Sequence, residues 1–367
     1  MTGRALLYGA TGYTGRAIAA QLAHDRAHDD NGVPDLVPDL ILAGRDAARV
    51  RAVAEPLGLP WRAFDLADRA AVAAALTDVD AVLHAAGPFA QTAQPMIDGC
   101  LASSTHYLDL GGEWPVFSAI MARDAEARAA GIALLPGMGL TIAATDCLLA
   151  RAVERWPDTV RLCLGFSAAQ VVSRGSVMTM ASLAEPGTLI RRGGQLVTVP
   201  AGSLTRMFDF GNGPSEAVAT NWADVVTAGV TTGVADIEVY SEMHWSQRAG
   251  YRAAGIAMGL AGAAPFRMVG GLLARLWPEQ PPAAAREAAR FTMVVEALDP
   301  WRRVRRMTMH TLDGYGASVL TACEALRRVL AGTAPTGFST PARAFGSNFA
   351  VEAGAALFAE HDRSTAA

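Results

Sequence analysis

The chain has 367 residues, 51% of them hydrophobic and 18% charged, which is enough apolar material for a large core and too much for a disordered polypeptide. All 31 basic residues are Arg, and the absence of Lys excludes internal Schiff-base catalysis, a Walker A phosphate loop and the Tyr-x-x-x-Lys pair of short-chain dehydrogenases. A net charge of -4 provides no basic field for nucleic acid.

At a typical size of about 150 residues per domain, the length allows two domains. The four cysteines, Cys100, Cys147, Cys163 and Cys323, form no Cys-x-x-Cys pair and are read as buried thiols of a cytoplasmic protein, with no metal site expected. The opening apolar run Ala5–Tyr8 meets Gly9 too early for a secretion signal.

From residue 4 to 135, short apolar runs at 4–9, 39–43, 60–64, 80–85, 105–109 and 132–135 alternate with helical patterns at 46–57, 68–76 and 114–130. That alternation predicts a doubly wound parallel sheet. The polar stretch 24–38 predicts a solvated connection, and its His24/His28 pair leaves a metal site as a minor alternative. Beyond a helix at 141–156 the texture turns β-rich, with strands expected at 159–170, 195–199, 204–209, 235–243, 290–298 and 303–312. This predicts a second α+β domain with a mixed or antiparallel sheet.

Residues 249–277 are the most apolar stretch, but Arg252, Pro265, Arg267 and Arg275 interrupt it, so two short helices hinged near Pro265 are expected rather than a membrane span. Core or dimer packing is the first reading of this stretch. A lid over an apolar substrate, or a peripheral contact with a membrane or acyl carrier, is the second. Helices at 315–331 and 348–360 are expected to return to the first domain, ahead of a frayed tail. The boundaries are then 1–140, 141–330 and 331–367.

The chemistry is written first in Gly9-Ala10-Thr11-Gly12-Tyr13-Thr14-Gly15-Arg16, a glycine turn between a strand and a helix. Glycine permits positive φ and close backbone approach, and a helix N-terminus favours a pyrophosphate. Gly9, Thr11, Gly12, Tyr13, Thr14 and Gly15 are therefore candidate dinucleotide contacts. The second strand ends in Gly44-Arg45-Asp46, where Arg45 offers a fork for the 2′-phosphate of NADP and Asp46 is placed to cap the next helix. NADP(H) is preferred over NAD. Two later loops continue the expected binding edge: Asp65, against adenine or as a cap, and Ala86-Gly87-Pro88, beside the nicotinamide ribose. His84 is read as a buried structural residue.

Gly-Ala-Thr-Gly-Tyr-Thr-Gly-Arg at 9–16, Leu-Ala-Gly-Arg at 42–45, Ala-Ala-Gly-Pro-Phe at 85–89 and His-Tyr-Leu-Asp-Leu-Gly-Gly-Glu at 106–113 together resemble the saccharopine dehydrogenase-like family of reductases. The likeness continues more faintly in Ser173-Arg174-Gly175 and in Pro341–Gly346. It implies a Rossmann domain that binds NADP(H), a second domain that bears the substrate, and hydride transfer in the cleft between them. Members include saccharopine reductases and bacterial trans-acting enoyl reductases that work on lipid or polyketide chains. The apolar stretch 249–277 favours the second branch, hence a hydrophobic small-molecule substrate with an enoyl C=C. The alternatives are reduction of C=N or C=O, or a non-catalytic NADP-binding sensor or biosynthetic partner. Candidate catalytic groups are Tyr107 and Asp109, with Glu113 nearby. Arg174 is the candidate holder of a substrate carbonyl or carboxylate, and the trio Tyr240, Glu242 and His244 is a weaker substrate contact.

Overall fold

The structure, a computed structural model, describes residues 3–27, 38–167, 174, 177–178, 181, 184–278, 290–311 and 314–359. The run Arg4–Tyr8 forms strand β1, buried on both faces beyond Arg4 as a strand under crossover helices must be, and the glycine turn leads into α1 (Tyr13–Ala27). The pattern then repeats as β2 (Asp39–Gly44), α2 (Ala47–Ala54), β3 (Trp61–Ala63), α3 (Arg69–Leu76), β4 (Ala81–His84), α4 (Phe89–Ser103), β5 (His106–Asp109), α5 (Trp114–Met121), α6 (Asp124–Ala130), β6 (Ala133–Leu135) and α7 (Leu140–Arg155). Local chemistry sets the helix starts. The Asp46 carboxylate accepts from the Arg49 amide to open α2, and Asp68 accepts from the Ala70 and Ala71 amides to open α3.

The second region runs β7 (Arg161–Phe166), β8 (Gly187–Arg192), β9 (Gln195–Pro200), β10 (Thr205–Asp209), β11 (Pro214–Ala219), α8 (Asp224–Thr232), β12 (Asp236–Glu242), α9 (Trp245–Ala261), α10 (Ala264–Arg275), β13 (Phe291–Leu298) and β14 (Val304–Thr311). The chain closes with α11 (Gly314–Leu330), β15 (Gly337–Phe338), α12 (Pro341–Phe345), α13 (Phe349–Glu352) and β16 (Ala356–Phe358).

Two compact units result. The first comprises Met1–Gly111, Pro115–Ala143 and Tyr315–Phe345; the second comprises Gly112–Trp114, Ala144–Gly314 and Gly346–Ala367. Among the described residues the first unit holds a seven-stranded parallel sheet in the order β15-β6-β5-β4-β1-β2-β3. The strand order reverses at β1, which lies between β2 and β4, and a doubly wound fold places its ligand past the carboxyl ends of such strands. Leu6, Leu7, Ile18, Leu42, Leu83 and Phe117 are fully buried around it, each contributing about 1.5–3 kcal/mol relative to exposure.

The second unit holds a mixed sheet whose main path is β10-β11-β12-β7-β13-β14-β16, with β7 and β12 parallel and the other neighbours antiparallel. Across its centre Glu238, Cys163 and Glu296 are register partners on β12, β7 and β13. Charge is buried there because it is paired: Arg206 and Arg306 donate to the two Glu296 oxygens at 2.5 and 2.6 Å, and the Tyr240 hydroxyl donates to Glu238 at 2.8 Å.

The sequence reading differs from the structure in several places. The helix expected at 348–360 is instead the single turn α13 followed by β16. Gly354, at φ +71°, ends the turn, and Ala356–Phe358 then pairs antiparallel with β14. The helix expected at 114–130 is two helices, α5 and α6. Strands β8, β11 and β15 and helices α4, α8 and α12 have no counterpart in the sequence pattern. The hinge near Pro265 is present, with Pro265 in the first turn of α10. His28 and residues 168–170 lie outside the described residues.

Candidate functional site

The glycine turn is built by two close approaches. Gly9 has φ +91°, and a Cβ there would lie 2.7 Å from the backbone of Ala85 and Ala86 at the end of β4. A Cβ on Gly15 would lie 2.2 Å from the Gly9 carbonyl oxygen, so only glycine lets α1 start this close to the turn. Gly12 is less demanding; its Cβ would stand 3.3 Å from the same oxygen. The Gly9 and Ala10 amides both donate to the Ala43 carbonyl at 2.9 and 3.1 Å, which ties the turn to β2. These two amides hold the turn rather than a ligand.

The helical ladder of α1 opens with the Arg16 amide donating to Gly12 O at 2.9 Å, and the amides of a helix's first turn point out along its axis at the N-terminal end. No acidic residue occupies the first turn of α1, and Arg16 Nη1 lies 3.0 Å from the Thr11 carbonyl. Positive character therefore concentrates where an anion would sit. The Tyr13 ring stands edge-on to Tyr315, with centroids 4.9 Å apart, an addition from α11 that no local pattern announces.

At the end of β2, Arg45 and Arg49 are exposed, and neither forms an ion pair among the described residues. Asp46 is spent on capping α2, as expected. Asp65 is exposed past β3 and accepts from the Ala67 amide at 2.9 Å, while Asp68 provides the cap of α3. Both Arg45 and Asp65 act electrostatically on Tyr8, whose hydroxyl donates to the Phe64 carbonyl at 3.1 Å. Burial, with Asp65 adding to it, raises the Tyr8 phenol to about 12. Ala86, Gly87 and Pro88 form the loop before α4, and the Thr92 hydroxyl donates to the Ala86 carbonyl at 2.7 Å.

Tyr8, His84 and Asp109 are register partners across β1, β4 and β5 at the carboxyl edge of the sheet. The His84 ring is fully buried, stacked at 5.6 Å on Tyr8, edge-on at 5.4 Å to Phe89 and 6.1 Å from Tyr107. Neither ring nitrogen has a hydrogen-bond partner among the described residues, and burial lowers its pKa to about 3. His84 is a neutral, structural member of this row.

Tyr107 and Asp109 are also fully buried. The Tyr107 hydroxyl donates to Asp109 Oδ2 at 2.8 Å, and Asp109 Oδ1 accepts from the Gly111 and Gly137 amides at 2.8 and 2.9 Å. The pair therefore fastens the strand end to two backbone turns. Glu113 is buried as well.

In the second unit, Arg174 donates through Nε to the Trp277 carbonyl at 2.7 Å, which fastens the chain just past α10; its neighbours Ser173 and Gly175 lie outside the described residues. The expected trio at the end of β12 does not form. Tyr240 points into the small core with Phe208 and Val294, Glu242 ends the strand, and His244 caps α9 reciprocally with Gln247.

Residues 5–135 match the family model of the saccharopine dehydrogenase NADP binding domain. They form an NADP-binding domain of that type. A trans-acting enoyl reductase of Mycobacterium tuberculosis is 31% identical over 113 residues, which are 29% of this chain and 25% of the relative. The chain thus spans about a quarter of the length of the curated relative it matches. Among solved structures, saccharopine dehydrogenase (L-Glu forming) of Saccharomyces cerevisiae aligns with TM-score 0.63 at 13% identity, covering 97% of this chain and all of that one. Homospermidine synthase of Legionella pneumophila, solved in complex with NAD, aligns with TM-score 0.60 at 8% identity over 98% of this chain and 92% of that one. At these identities the two structures establish the fold. The NADP-binding domain fits its cofactor on two observations: a turn in which Gly9 and Gly15 admit no side chain, and exposed guanidinium groups after β2.

Proposed function

We propose that the protein is an NADPH-dependent reductase that delivers a hydride to the polarised enoyl C=C of a hydrophobic acyl, polyketide or terpenoid-like substrate. The observation that carries the cofactor half is Arg45, exposed past β2 and without an ion pair among the described residues, where a 2′-phosphate is bound in folds of this kind. The enoyl half is supported by the name of the M. tuberculosis relative and by the apolar character of α9 and α10.

NADPH, when bound, supplies the hydride. The chain's own residues bind and orient. The first turn of α1 receives the pyrophosphate, Arg45 takes the 2′-phosphate, and the Tyr8–His84–Phe89 cluster underlies the carboxyl edge of the sheet as a dry floor. Buried and bonded to each other, Tyr107 and Asp109 act in this reading as positioning residues. They hold the Gly111 and Gly137 turns rather than donating a proton at the reacting atoms.

The test is loss of NADPH absorbance with a panel of enoyl thioesters. Turnover with imines or ketones alone moves the activity to C=N or C=O reduction. Failure of deuteride transfer from labelled NADPH to any product leaves a nucleotide-binding sensor. Arg45→Asp is expected to weaken NADPH binding ~100-fold and NADH binding far less, from the loss of a charge-assisted phosphate fork; equal loss for both nucleotides would remove the 2′-phosphate assignment.

A further inference from the structure

Helix α10, and α9 in part, reverses the usual arrangement of a surface helix, in which large apolar side chains face the core. On α10, Ala274 is buried and a Cβ on Gly270 would stand 3.0 Å from Ala181, so small residues face the body of the unit. The large residues face away: Met268 is 73% exposed, Leu272 62%, Leu273 60% and Leu276 82%. Spacings of four place Met268, Leu272 and Leu276 on one stripe, with Val269 and Leu273 beside it. In α9 the buried positions are Gly255 and Met258, while Ile256 and Leu260 are exposed. Trp245 and Trp277, both exposed, bracket the two helices.

The charge of this segment has one sign. Residues 243–278 contain Arg248, Arg252, Arg267 and Arg275 and no Asp or Glu, in a chain whose net charge is -4. Arg248 pairs with Glu216 and Arg267 with Glu185, both outside the segment. Arg252 and Arg275 are exposed and form no ion pair among the described residues. A second copy of the same face would set these cations against cations with no carboxylate from the segment to answer them. An anionic surface of low polarity answers both the charge and the exposed leucines.

We infer that α9 and α10 form a docking face for the surface of an anionic lipid bilayer, with Ile256, Leu260, Met268, Leu272 and Leu276 entering the acyl boundary and Arg252 and Arg275 meeting the headgroup phosphates. The helices lie on the membrane and do not span it: they have 17 and 12 residues, and among the described residues no helix is long and apolar enough to cross. Interfacial tryptophans at both ends suit such a position.

The full chain is mixed with phosphatidylcholine vesicles, with and without a minority of phosphatidylglycerol, and the bound fraction is measured by flotation. Binding to the anionic vesicles, a blue shift of tryptophan emission and weakening by added salt are expected. Leu272→Asn/Leu276→Asn is expected to reduce vesicle binding at least ~10-fold, through lost apolar burial, while leaving NADPH affinity unchanged as proof of folding. Arg252→Gln/Arg275→Gln should abolish the preference for anionic vesicles. Three results overturn the inference: no binding to either vesicle, equal binding to neutral and anionic vesicles, or a dimer that the leucine variant converts to a monomer. None of these readouts requires turnover, so failure here and failure of the reductase reading are separable.

Discussion

The first unit is a parallel sheet whose ligand edge is assembled from turns that follow strands directly. The second is a mixed sheet whose polar groups meet across strands distant in sequence. Each also buries a titratable side chain with little to hold its charge: the His84 ring nitrogens in the first have no hydrogen-bond partner among the described residues, and the Asp224 carboxyl in the second has only the Thr145 hydroxyl and backbone beside it. The two respond to burial with opposite sign. Burial lowers the His84 imidazole to about 3, and it raises the Asp224 carboxyl to about 7, with Asp146 adding to that rise and the nearby Thr145 hydroxyl opposing it. Both groups avoid charge in the interior. Neutrality costs the first unit stability as pH falls and the second as pH rises, so the units have different acid and alkaline limits.

The largest expected effect separates glycines that are sterically required from those that only adopt an unusual φ. Gly15→Ala drives a Cβ into the Gly9 carbonyl in the first unit. It is expected to destabilise by more than ~3 kcal/mol through overpacking against backbone, and to abolish NADPH binding. Gly233→Ala in the second unit meets open space at φ +72° and should cost only about 1 kcal/mol. Urea midpoints of the two variants read the contrast directly. Similar losses would mean that the turn of the first unit can relax.

Next comes Asp224. Its folded-state pKa lies above the unfolded value of 3.8, so between 3.8 and about 7 the folded state holds more protons, and stability falls as pH rises through that window. The wild type should therefore lose stability relative to Asp224→Asn as pH rises, by on the order of 4 kcal/mol across the window. Melting temperatures of both proteins, taken across the range, would show the two curves diverging toward neutral pH. A constant separation would place a partner on this carboxylate.

The parts of the molecule legible in sequence were those written within one strand–turn–helix unit. The glycine turn, Arg45 past β2 and the Asp46 cap each depend on neighbours only a few residues away, so spacing alone located them. The alternation of strands and helices in the first unit and the hinge near Pro265 were legible for the same reason. What spacing could not supply was partnership over distance. Asp109 reads in sequence as a candidate catalytic group after a strand, and its commitment to the Gly137 turn depends on where the chain returns 28 residues later. His244 continued the alternation of β12 on paper, yet the local capping exchange with Gln247 ended the strand before it. Residues 356–358 read as helix in sequence because nothing in their composition records the open edge of β14 that receives them.

The smallest expected effect completes the contrast. At neutral pH His84 is uncharged, so its cost is only that of ring nitrogens without partners between Tyr8, Phe89 and Tyr107. His84→Leu replaces that polar ring with an apolar group of similar, slightly larger volume and is expected to stabilise by about 1 kcal/mol at neutral pH. Below the unfolded value of 6.5 the wild type must also forgo a proton on folding, until the folded value near 3 is reached, so the advantage of the variant grows as pH falls. Asp224→Asn shows its advantage at the other end of the scale. Should His84→Leu lose stability at neutral pH, the imidazole has a hydrogen-bond partner in solution, and the row from Tyr8 to Asp109 is a polar network rather than a dry floor.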